Sequence, residues 1–573
     1  MSETATSGRR PNGLLAAGLF LLSALVFHFP RLILDRTPVT FDLMLYVTGA
    51  YSFAQALGEG QVIPRWVDMA NMGLGEPTFF FFSPFYYYLS AAVNLVVADV
   101  WLSTRLVSFL TSWGIGWVAY LIFRRLGAPG VGLIAGFCLQ VAPFMAFYLI
   151  KSIQSYPNMM LGLLVVYCYL LYDHRRAFID LRPGLLAGLM FTTHALNGGT
   201  ILLCFFAGAT LAVLTRWREI GENIARLIGF GLSAALGLGL AMFHLLPATV
   251  ARDHVVPGWT HRDLSTAMYF PVKQFFGGEI RWFTLQWTIP LLLLLLNTAA
   301  THGYLRLPDR SKPLAALALL CLLAGWFGLF IASSFAIPIW EVVTPLQMLQ
   351  VGGRFSLGIT LFSLLGCAAV LALAWDAKLV WSARFAALAL GISCLAGFTL
   401  LGRYAFVDTK PHAVAEALDD TRAGAPYFLP AHAKPAGFNA YLEAGGLNAE
   451  CAAAGAECTP QRTAVHDKSW LVETDRPVSL RMPVFYFPGW AMTVDGAPAA
   501  VTPDRDTGLI PVSLPPGRSL VRVYWAHADH ERLAMAISGG TVVLMLGIFV
   551  YRRIRRRRTG PNTMAASAAR DET

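Results

Sequence analysis

"GLGEPTFFFFSPFYYYL", residues 73–89, contains five phenylalanines, three tyrosines and two prolines. The run has one charged residue, Glu76, which is too few for a segment in open solvent. It is also too short to cross a bilayer. Aromatic side chains favour the boundary between membrane and water, and prolines interrupt helices. The stretch therefore predicts short helices that lie in the plane of a membrane surface.

The composition of the whole chain indicates an integral membrane protein. Hydrophobic residues make up 56% and charged residues 14%, whereas charged residues are about 25% of a soluble domain. The mean hydropathy is +0.55. The net charge of +10 comes from basic residues at the ends of apolar stretches, such as YRRIRRRR at 551–558. Such residues set membrane topology, so we expect no nucleic-acid partner.

The apolar segments predict twelve membrane-spanning helices with both termini in the cytoplasm, the first of them uncleaved. This count leaves out residues 79–98, because only then do the basic clusters fall on one side. The segments are 13–34, 104–123, 130–150, 157–172, 183–197, 199–215, 223–248, 285–300, 313–335, 354–375, 382–402 and 531–551.

Three regions follow from this pattern. Residues 1–402 form a transmembrane core whose first external loop, 35–103, carries the in-plane helices, and residues 531–573 hold the last span and a basic cytoplasmic tail. Between them, 403–530 has a soluble composition. Its stretches VSLRMPVFYFPGW, AMTVDGAPA and SLVRVYW alternate with period two, and Asp495-Gly496 is a hairpin turn signal. The fold class is a polytopic α-helical membrane protein with a small external β-sandwich.

The cysteines divide in the same way. Six lie in apolar spans, where they are packing residues. Cys451 and Cys458 lie in the external region, where a local disulfide is favoured over two free thiols. The sequence has no CxxC pair, Walker loop or GxSxG motif, so a hydrolase or an ATP-driven pump has no support.

Several motifs together resemble a known class of enzymes. FDLMLY at 41–46 and GEGQVIPRWVDMANMGLGEPTFFFFSPFYYYL at 58–89 resemble the first external loop of the GT-C superfamily of polyprenyl-phosphate-sugar-dependent glycosyltransferases. The chain is most similar to the family labelled 6-pyruvoyl-tetrahydropterin-synthase-related membrane proteins. Supporting stretches are TTHALNG at 192–198, PLQMLQVGGRF at 345–355, APYFLP at 425–430 and FPGWAMTVDG at 487–496.

The chain departs from that family at two places. Relatives often have a histidine near the position of Tyr46, and an aromatic-Pro-Trp run before the arginine, near Val351 to Gly353. These differences leave the acceptor and any use of a divalent metal open.

The resemblance implies an inverting sugar transfer on the periplasmic side of a bacterial inner membrane. The donor would be a polyprenyl-phosphate-linked sugar, and the acceptor a glycan, lipid or protein. One carboxylate suffices as general base. The sequence supports no cofactor and no metal site, and the use of a divalent metal stays open. Asp42, just after the first helix, fits that role, and Asp35 is its nearest rival. Alternatively, Asp42 caps a surface helix that begins at Leu43.

Other polar residues are candidates for substrate binding, each with a structural alternative. Arg65-Trp66 is also an ordinary interfacial anchor, Asn71 also suits a turn, Lys151 also snorkels, and His194 also suits a tight turn. The full set of substrate-binding candidates is Asp35, Arg65, Trp66, Asn71, Tyr86, Lys151, His194, Arg252, His261, Lys273, Glu341 and Arg354.

Arg354 is the preferred phosphate ligand. It follows Gly352-Gly353 at the start of a predicted span, and helix N-termini attract phosphate. Alternatively, it snorkels or pairs with Glu341.

A second function class, a lipid or polysaccharide transporter without chemistry, also suits twelve spans. Such a transporter is expected to carry charges at mid-depth in two matching halves, whereas here the charges concentrate outside the spans.

Overall fold

The structure, a computed structural model, describes residues 13–33, 41–215, 220–256, 283–305, 313–347, 349, 352–377, 379–406 and 428–558. Its first ten helices are α1 (Gly13–Leu32), α2 (Phe41–Gly58), α3 (Thr78–Phe81), α4 (Phe85–Val97), α5 (Val100–Arg125), α6 (Pro129–Gln140), α7 (Pro143–Lys151), α8 (Tyr156–Leu171), α9 (Leu181–Leu214) and α10 (Ile220–Ala251). The rest are α11 (Phe283–Leu305), α12 (Pro313–Ala332), α13 (Ile337–Val342), α14 (Thr344–Gln347), α15 (Phe355–Ala377), α16 (Val380–Phe406), α17 (Pro435–Glu443), α18 (Gly446–Ala454) and α19 (Asp529–Arg558).

The helices form a membrane bundle, which confirms the predicted fold class. Within the described residues, nine helices are long and apolar enough to cross a membrane. Each of the twelve predicted segments overlaps a helix. The difference in number arises because α8 and the apolar part of α11 are shorter, and because two predicted segments fall within the single range of α9.

α9 reverses direction at His194, where the backbone is extended (φ −161°, ψ 96°). A Cβ atom on Gly198 would lie 2.7 Å from the carbonyl oxygen of Met190. In a straight helix, a separation of eight residues spans about 12 Å. The residues after His194 therefore fold back onto the residues before it.

The contacts of α9 with α10 confirm this reversal. A Cβ atom on Gly184 would lie 2.7 Å from the carbonyl oxygen of Ser233, and the ring of Phe205 lies 5.8 Å from the ring of Phe230. In a straight helix Gly184 and Phe205 would be about 30 Å apart, yet both contact the same turn of α10. The two arms of α9 are antiparallel, so its ends lie at the same end of the bundle.

The aromatic run of the first loop forms the short helices α3 and α4, as Pro77 and Pro84 predict. The positions of its rings differ from the prediction, which placed them at the boundary between membrane and water. Phe80 packs against Phe487 and Trp525, and Tyr86 and Tyr87 are fully buried. The reason is that strands and helices distant in sequence cover the run, so water and lipid are excluded from these rings.

The C-terminal region folds into two antiparallel sheets, as the alternating pattern predicts. The strands are β1 (Ala456–Ala464), β2 (Asp467–Thr474), β3 (Val478–Phe485), β4 (Trp490–Val494), β5 (Ala497–Ala499), β6 (Leu509–Leu514) and β7 (Gly517–Trp525). The larger sheet has the order β1-β2-β7-β4-β5, and β3 pairs with β6. Asp495 and Gly496 form the turn between β4 and β5. A disulfide joins Cys451 to Cys458, as favoured from the sequence.

This sheet domain packs directly on the first loop. Asp68 forms an ion pair with Lys468, and the side chain of Glu59 accepts a hydrogen bond from the backbone of Val465 at 2.7 Å. The backbone N–H of Phe485 donates to the carbonyl of Leu74 at 3.2 Å. We call the end of the bundle that carries these contacts the sheet-domain end.

Candidate functional site

Ser83, at the end of the aromatic run, lies at a polar junction of four segments. Its hydroxyl donates to the carbonyl of Phe191 at 3.3 Å, accepts from the backbone N–H of Ala195 at 3.1 Å, and lies 3.2 Å from Nε2 of His244. Its carbonyl accepts from Gln154 at 2.6 Å. The junction therefore holds α9's reversal, α10 and the start of α8 against the first loop.

Arg354 lies beside the same reversal. Its Nη1 is 3.5 Å from Oδ1 of Asn197, and its charge interacts with His194. Nδ1 of His194 accepts a hydrogen bond from the backbone N–H of Asn197 at 3.3 Å. The carbonyl of His194 accepts one from the side chain of Asn158 at 2.9 Å. Arg354 directly precedes α15, whose first backbone N–H groups have no partner within the helix.

This group of side chains is rich in hydrogen-bond donors. Nδ2 of Asn197 is buried without a partner among the residues that the structure describes. The guanidinium of Arg354 lies beside the side chain of Asn197, and the ring of His194 accepts from the backbone of Asn197. The ring of His244 joins this group through Ser83. We call Ser83, His194, Asn197, His244 and Arg354 the polar cluster. Donors concentrated at a helix N-terminus favour an anion such as phosphate.

The position of the predicted general base is known only from its backbone. Asp42 is the second residue of α2, which begins at Phe41 and not at Leu43. It therefore lies in the first turn of the helix instead of before it, which does not match the predicted N-cap. Its side chain lies outside the described part of the chain, and so do the side chain of Lys151 and all of Asp35, His261 and Lys273.

Arg65 lies in an interface and not in the polar cluster. Its Nε donates to Glu531 at 2.8 Å and its Nη2 donates to the carbonyl of Phe243 at 2.7 Å. The guanidinium also lies 5.0 Å from the centre of the Phe80 ring. Burial lowers the pKa of Arg65. Arg65 thus joins segments inside the protein, whereas the alternative weighed from the sequence was an anchor at the membrane surface.

Trp66 and Asn71 shape the first loop. Trp66 is fully buried, and its ring lies 5.3 Å from that of Trp490. Asn71 is in the left-handed region (φ 52°), and its side chain donates to the carbonyl of Gly75 at 3.1 Å. Gly75 has φ +80°, and a Cβ atom there would lie 1.9 Å from Nε1 of Trp66. The loop requires glycine at this position.

Three further predicted residues lie in separate places. Tyr86 is buried, with its hydroxyl donating to the carbonyl of Thr104 at 3.4 Å. Arg252 is partly buried in the turn that follows α10. Glu341 is exposed on the short helix α13. Of the predicted substrate-binding residues, the structure brings His194 and Arg354 together.

Glu76 is a buried carboxyl group that the sequence analysis did not include among the candidate site residues. It is 2% exposed, accepts a hydrogen bond from Thr78 Oγ1, and also bonds the backbone of Phe428. Burial raises the pKa of this carboxyl group. The lone acid within an aromatic run is the signal that could have found it. Ser83 and Gln154 carry no comparable signal, because their roles depend on contacts between distant segments.

Among the described residues, no group of three or more His, Cys, Asp or Glu side chains is arranged to hold a metal ion. The fold and the polar cluster define a multi-pass α-helical membrane protein with a C-terminal sheet domain between its last two long helices.

No protein-family model matches the chain, and no curated protein matches it. The family expected from the sequence therefore stays a prediction.

Three solved structures resemble the chain. The oligosaccharyltransferase of Archaeoglobus fulgidus in the apo form has 13% identity and a TM-score of 0.42, covering 73% of this chain and 59% of that chain. AglB of the same organism, in complex with an inhibitory peptide and a dolichol-phosphate, has 13% identity and a TM-score of 0.35, covering 72% and 58%. The mycobacterial arabinofuranosyltransferase AftD has 14% identity and a TM-score of 0.40, covering 91% and 40%.

The chain thus spans less than two thirds of the length of each of these structures. Because the TM-scores are below 0.5, we base no conclusion about activity on them.

Proposed function

We propose that the chain is an inverting membrane glycosyltransferase that moves a sugar from a polyprenyl-phosphate-linked donor to an acceptor hydroxyl. The observation that carries this proposal is the polar cluster. Arg354 precedes a helix N-terminus and lies beside Asn197 and His194, under the aromatic first loop. A lipid phosphate at membrane depth needs such donors, because water is scarce there. The sequence motifs of the first loop support the same function.

In this proposal two residues have separate roles. The Asp42 carboxylate takes the proton of the acceptor hydroxyl, whose oxygen then forms a bond to the anomeric carbon of the sugar. The bond from that carbon to the phosphate oxygen breaks, and the phosphate leaves with the electron pair. The guanidinium of Arg354 stabilises the departing phosphate. Attack from the opposite face inverts the anomeric configuration.

The sheet-domain end would face the periplasm. Two features support this orientation. The disulfide between Cys451 and Cys458 lies in the sheet domain, and disulfides persist in oxidising compartments. Basic clusters such as Arg124-Arg125 lie in the last turns of helices at the other end, as expected for cytoplasmic ends. The donor and acceptor would then meet outside the cytoplasm.

Mass spectrometry of the lipids that copurify with the full chain tests the donor. We expect a polyprenyl phosphate or its sugar conjugate, and its mass would identify the sugar. The copurified lipid, labelled on its sugar, then serves as donor in nanodiscs. If the chain moves the intact lipid across the bilayer without breaking the sugar–phosphate bond, it is a transporter and the proposal is wrong.

For the general base, Asp42→Asn is the sharpest change, since an amide keeps the shape of the side chain and loses its basicity. We expect turnover to fall by on the order of a hundredfold or more, while donor binding stays unchanged. Asp35→Asn is the matched control and should keep most of the activity. If Asp35→Asn is the inactive variant and Asp42→Asn is active, the two roles are exchanged.

For the phosphate ligand, we compare Arg354→Ala with Arg354→Lys. The planar fork of arginine can bind two phosphate oxygens, so lysine should recover only part of the lost activity. Donor affinity should fall together with rate, because the phosphate is charged before reaction. The control is Arg384→Ala, because Arg384 is exposed on α16 and its guanidinium lies against the ring of Trp381. Wild-type binding and transfer by both Arg354 variants would contradict this role.

A further inference from the structure

Phe243, near the C-terminal end of α10, has both of its backbone polar groups bound by side chains of other segments. Its N–H donates to the hydroxyl of Ser538 in α19 at 2.8 Å, and its carbonyl accepts from Nη2 of Arg65 at 2.7 Å. In the interior of a regular α-helix, both groups are bonded within the helix. At this residue α10 is therefore tied to α19 and to the first loop.

The sequence of α10 explains why the carbonyl of Phe243 takes a donor from outside the helix. Its helical partner would be the backbone N–H of residue 247, but Pro247 has none. Arg65 supplies the donor instead, and the Arg65 guanidinium is itself bonded to Glu531 of α19 at 2.8 Å. The proline thus leaves an open acceptor in α10, which the Arg65–Glu531 pair satisfies.

Ser538 acts on the neighbouring step of the same helix. Its hydroxyl donates to the carbonyl of Gly239 at 3.0 Å and accepts from the N–H of Phe243. An α-helix joins these two groups directly, so the hydroxyl bridges one step of the ladder, which is a cause of helix bends. The close approach of the two helices requires a glycine, because a Cβ atom on Gly239 would lie 2.4 Å from Oγ1 of Thr541.

The residue that follows Phe243 belongs to the polar cluster. His244 is 1% exposed, and its Nε2 lies 3.2 Å from the hydroxyl of Ser83. The same hydroxyl accepts from the backbone of Ala195 in the reversal of α9, beside which Arg354 lies. A change in the backbone of α10 at Phe243 would therefore move the ring of His244 relative to Ser83.

We infer that Ser538 is a positioning residue for the polar cluster. Its hydroxyl sets the backbone of α10 at Phe243, and the next residue, His244, carries that setting to Ser83. The helix that follows the sheet domain thereby shapes the site for the lipid phosphate. That the ligand is a lipid phosphate rests on the proposed function, whereas the contact between Ser538 and Phe243 does not.

Hydrogen exchange of the full chain in a maltoside detergent, read by mass spectrometry, tests the positioning without a ligand. Ser538→Ala removes the bridge, so peptides covering 80–90 and 190–200 should exchange about threefold to tenfold faster, as expected for one lost hydrogen bond. Thr541→Val is the matched control, because the hydroxyl of Thr541 bonds the carbonyl of Ile537 in its own helix. It should leave these peptides unchanged. Ser538→Thr keeps the hydroxyl and should restore wild-type exchange.

A second pair of variants changes the contact from the side of α10. Gly239→Ala places a methyl group against Thr541 and so separates α19 from α10. It should accelerate exchange in the same peptides as Ser538→Ala does. Gly231→Ala is the control, because a Cβ atom there would lie 3.8 Å from the ring of Phe206, which is an ordinary contact.

The ligand is tested separately, with a polyprenyl phosphate in mixed micelles. Its apparent affinity should fall by about threefold to tenfold in Ser538→Ala and stay at the wild-type value in Thr541→Val. If the wild type binds no polyprenyl phosphate while the exchange results hold, the proposed function is wrong and Ser538 still positions the cluster.

Three outcomes would overturn the role of Ser538. The first is wild-type exchange of both peptides in Ser538→Ala. The second is acceleration along the whole chain that Thr541→Val shares or that Ser538→Thr does not reverse, since it would indicate a general loss of packing. The third is unchanged affinity of Ser538→Ala for a polyprenyl phosphate that the wild type binds.

Discussion

Arg65 joins parts of the chain that are far apart in sequence. Its side chain bonds Glu531 at the start of α19 and Phe243 in α10, and its backbone N–H donates to His466 of the sheet domain at 3.0 Å. Glu531 in turn accepts from the backbone of Ala528 at 3.1 Å. A buried ion pair whose atoms are satisfied in this way fixes the position of its neighbours.

We predict that Glu531→Gln destabilises the protein strongly, since it leaves a buried guanidinium without its counter-ion. The expected loss is about 3–5 kcal/mol, measured as denaturant-induced unfolding of the full chain in detergent. Glu473→Gln removes the exposed pair with Arg518 and should cost about 0–1 kcal/mol. Equal effects of the two changes would show that the Arg65–Glu531 pair is unimportant.

At the scale of single elements, the reversal in α9 decides which loops share a side of the membrane. Gly198 permits the two arms to touch, because any side chain there would meet the backbone of Met190. Since the arms are antiparallel, the loop before α9 and the loop after it lie at the same end of the bundle. A straight α9 would place them at opposite ends.

Cysteine labelling tests this arrangement. We expect Arg176→Cys and Thr215→Cys, both exposed, to react with a membrane-impermeant maleimide only in inverted vesicles. Asp475→Cys, exposed in the sheet domain, should react only in spheroplasts. Labelling of Thr215→Cys together with Asp475→Cys would show that α9 crosses the membrane once.

At the scale of the whole molecule, the sheet domain is part of the membrane fold and not a tethered module. His466 is the centre of the contact: its Nε2 accepts hydrogen bonds from the backbone N–H groups of Arg65 and Trp66 at 3.0 and 3.3 Å. An Nε2 that accepts must be unprotonated. Burial lowers the pKa of His466 to about 3, so the neutral ring is stable at neutral pH.

The pH dependence of stability follows from this lowered pKa. Below its ordinary pKa of about 6.5, the histidine of the unfolded chain takes up a proton that the folded chain does not. Stability should therefore be complete above that pH and fall by about 1.4 kcal/mol per unit as the pH is lowered towards 3.

Thermal unfolding between neutral and mildly acidic pH measures this effect. His466→Gln keeps a neutral acceptor and should remove this part of the pH dependence, despite the nearby charges of His527, Glu531, Arg65 and Lys468. His432→Gln, on the exposed surface, should leave it unchanged. Identical pH profiles for wild type and His466→Gln would contradict the role of His466.

The parts of the fold that depend on local sequence could be predicted. Apolar length predicts the helices, and alternation with the Asp495-Gly496 turn predicts the sheets. Contacts between distant residues could not be predicted, because no local pattern records them. The Arg65–Glu531 pair and the placing of Arg354 beside Asn197 are of that kind. Arg105 is a charged residue within a predicted membrane span. Such residues usually have a function or a partner, so the sequence alone could have drawn attention to it.

The partnership of Arg65 and Glu531 has a consequence for biosynthesis. The two residues are 466 positions apart, which a ribosome covers in roughly 20–90 s at 5–20 residues per second. During that interval the first loop has already emerged, while α19 and the sheet strands do not yet exist. A chain that stalls or is cleaved before α19 would therefore expose Trp66 and Phe80, and such unfinished chains should be preferred targets of membrane quality-control proteases.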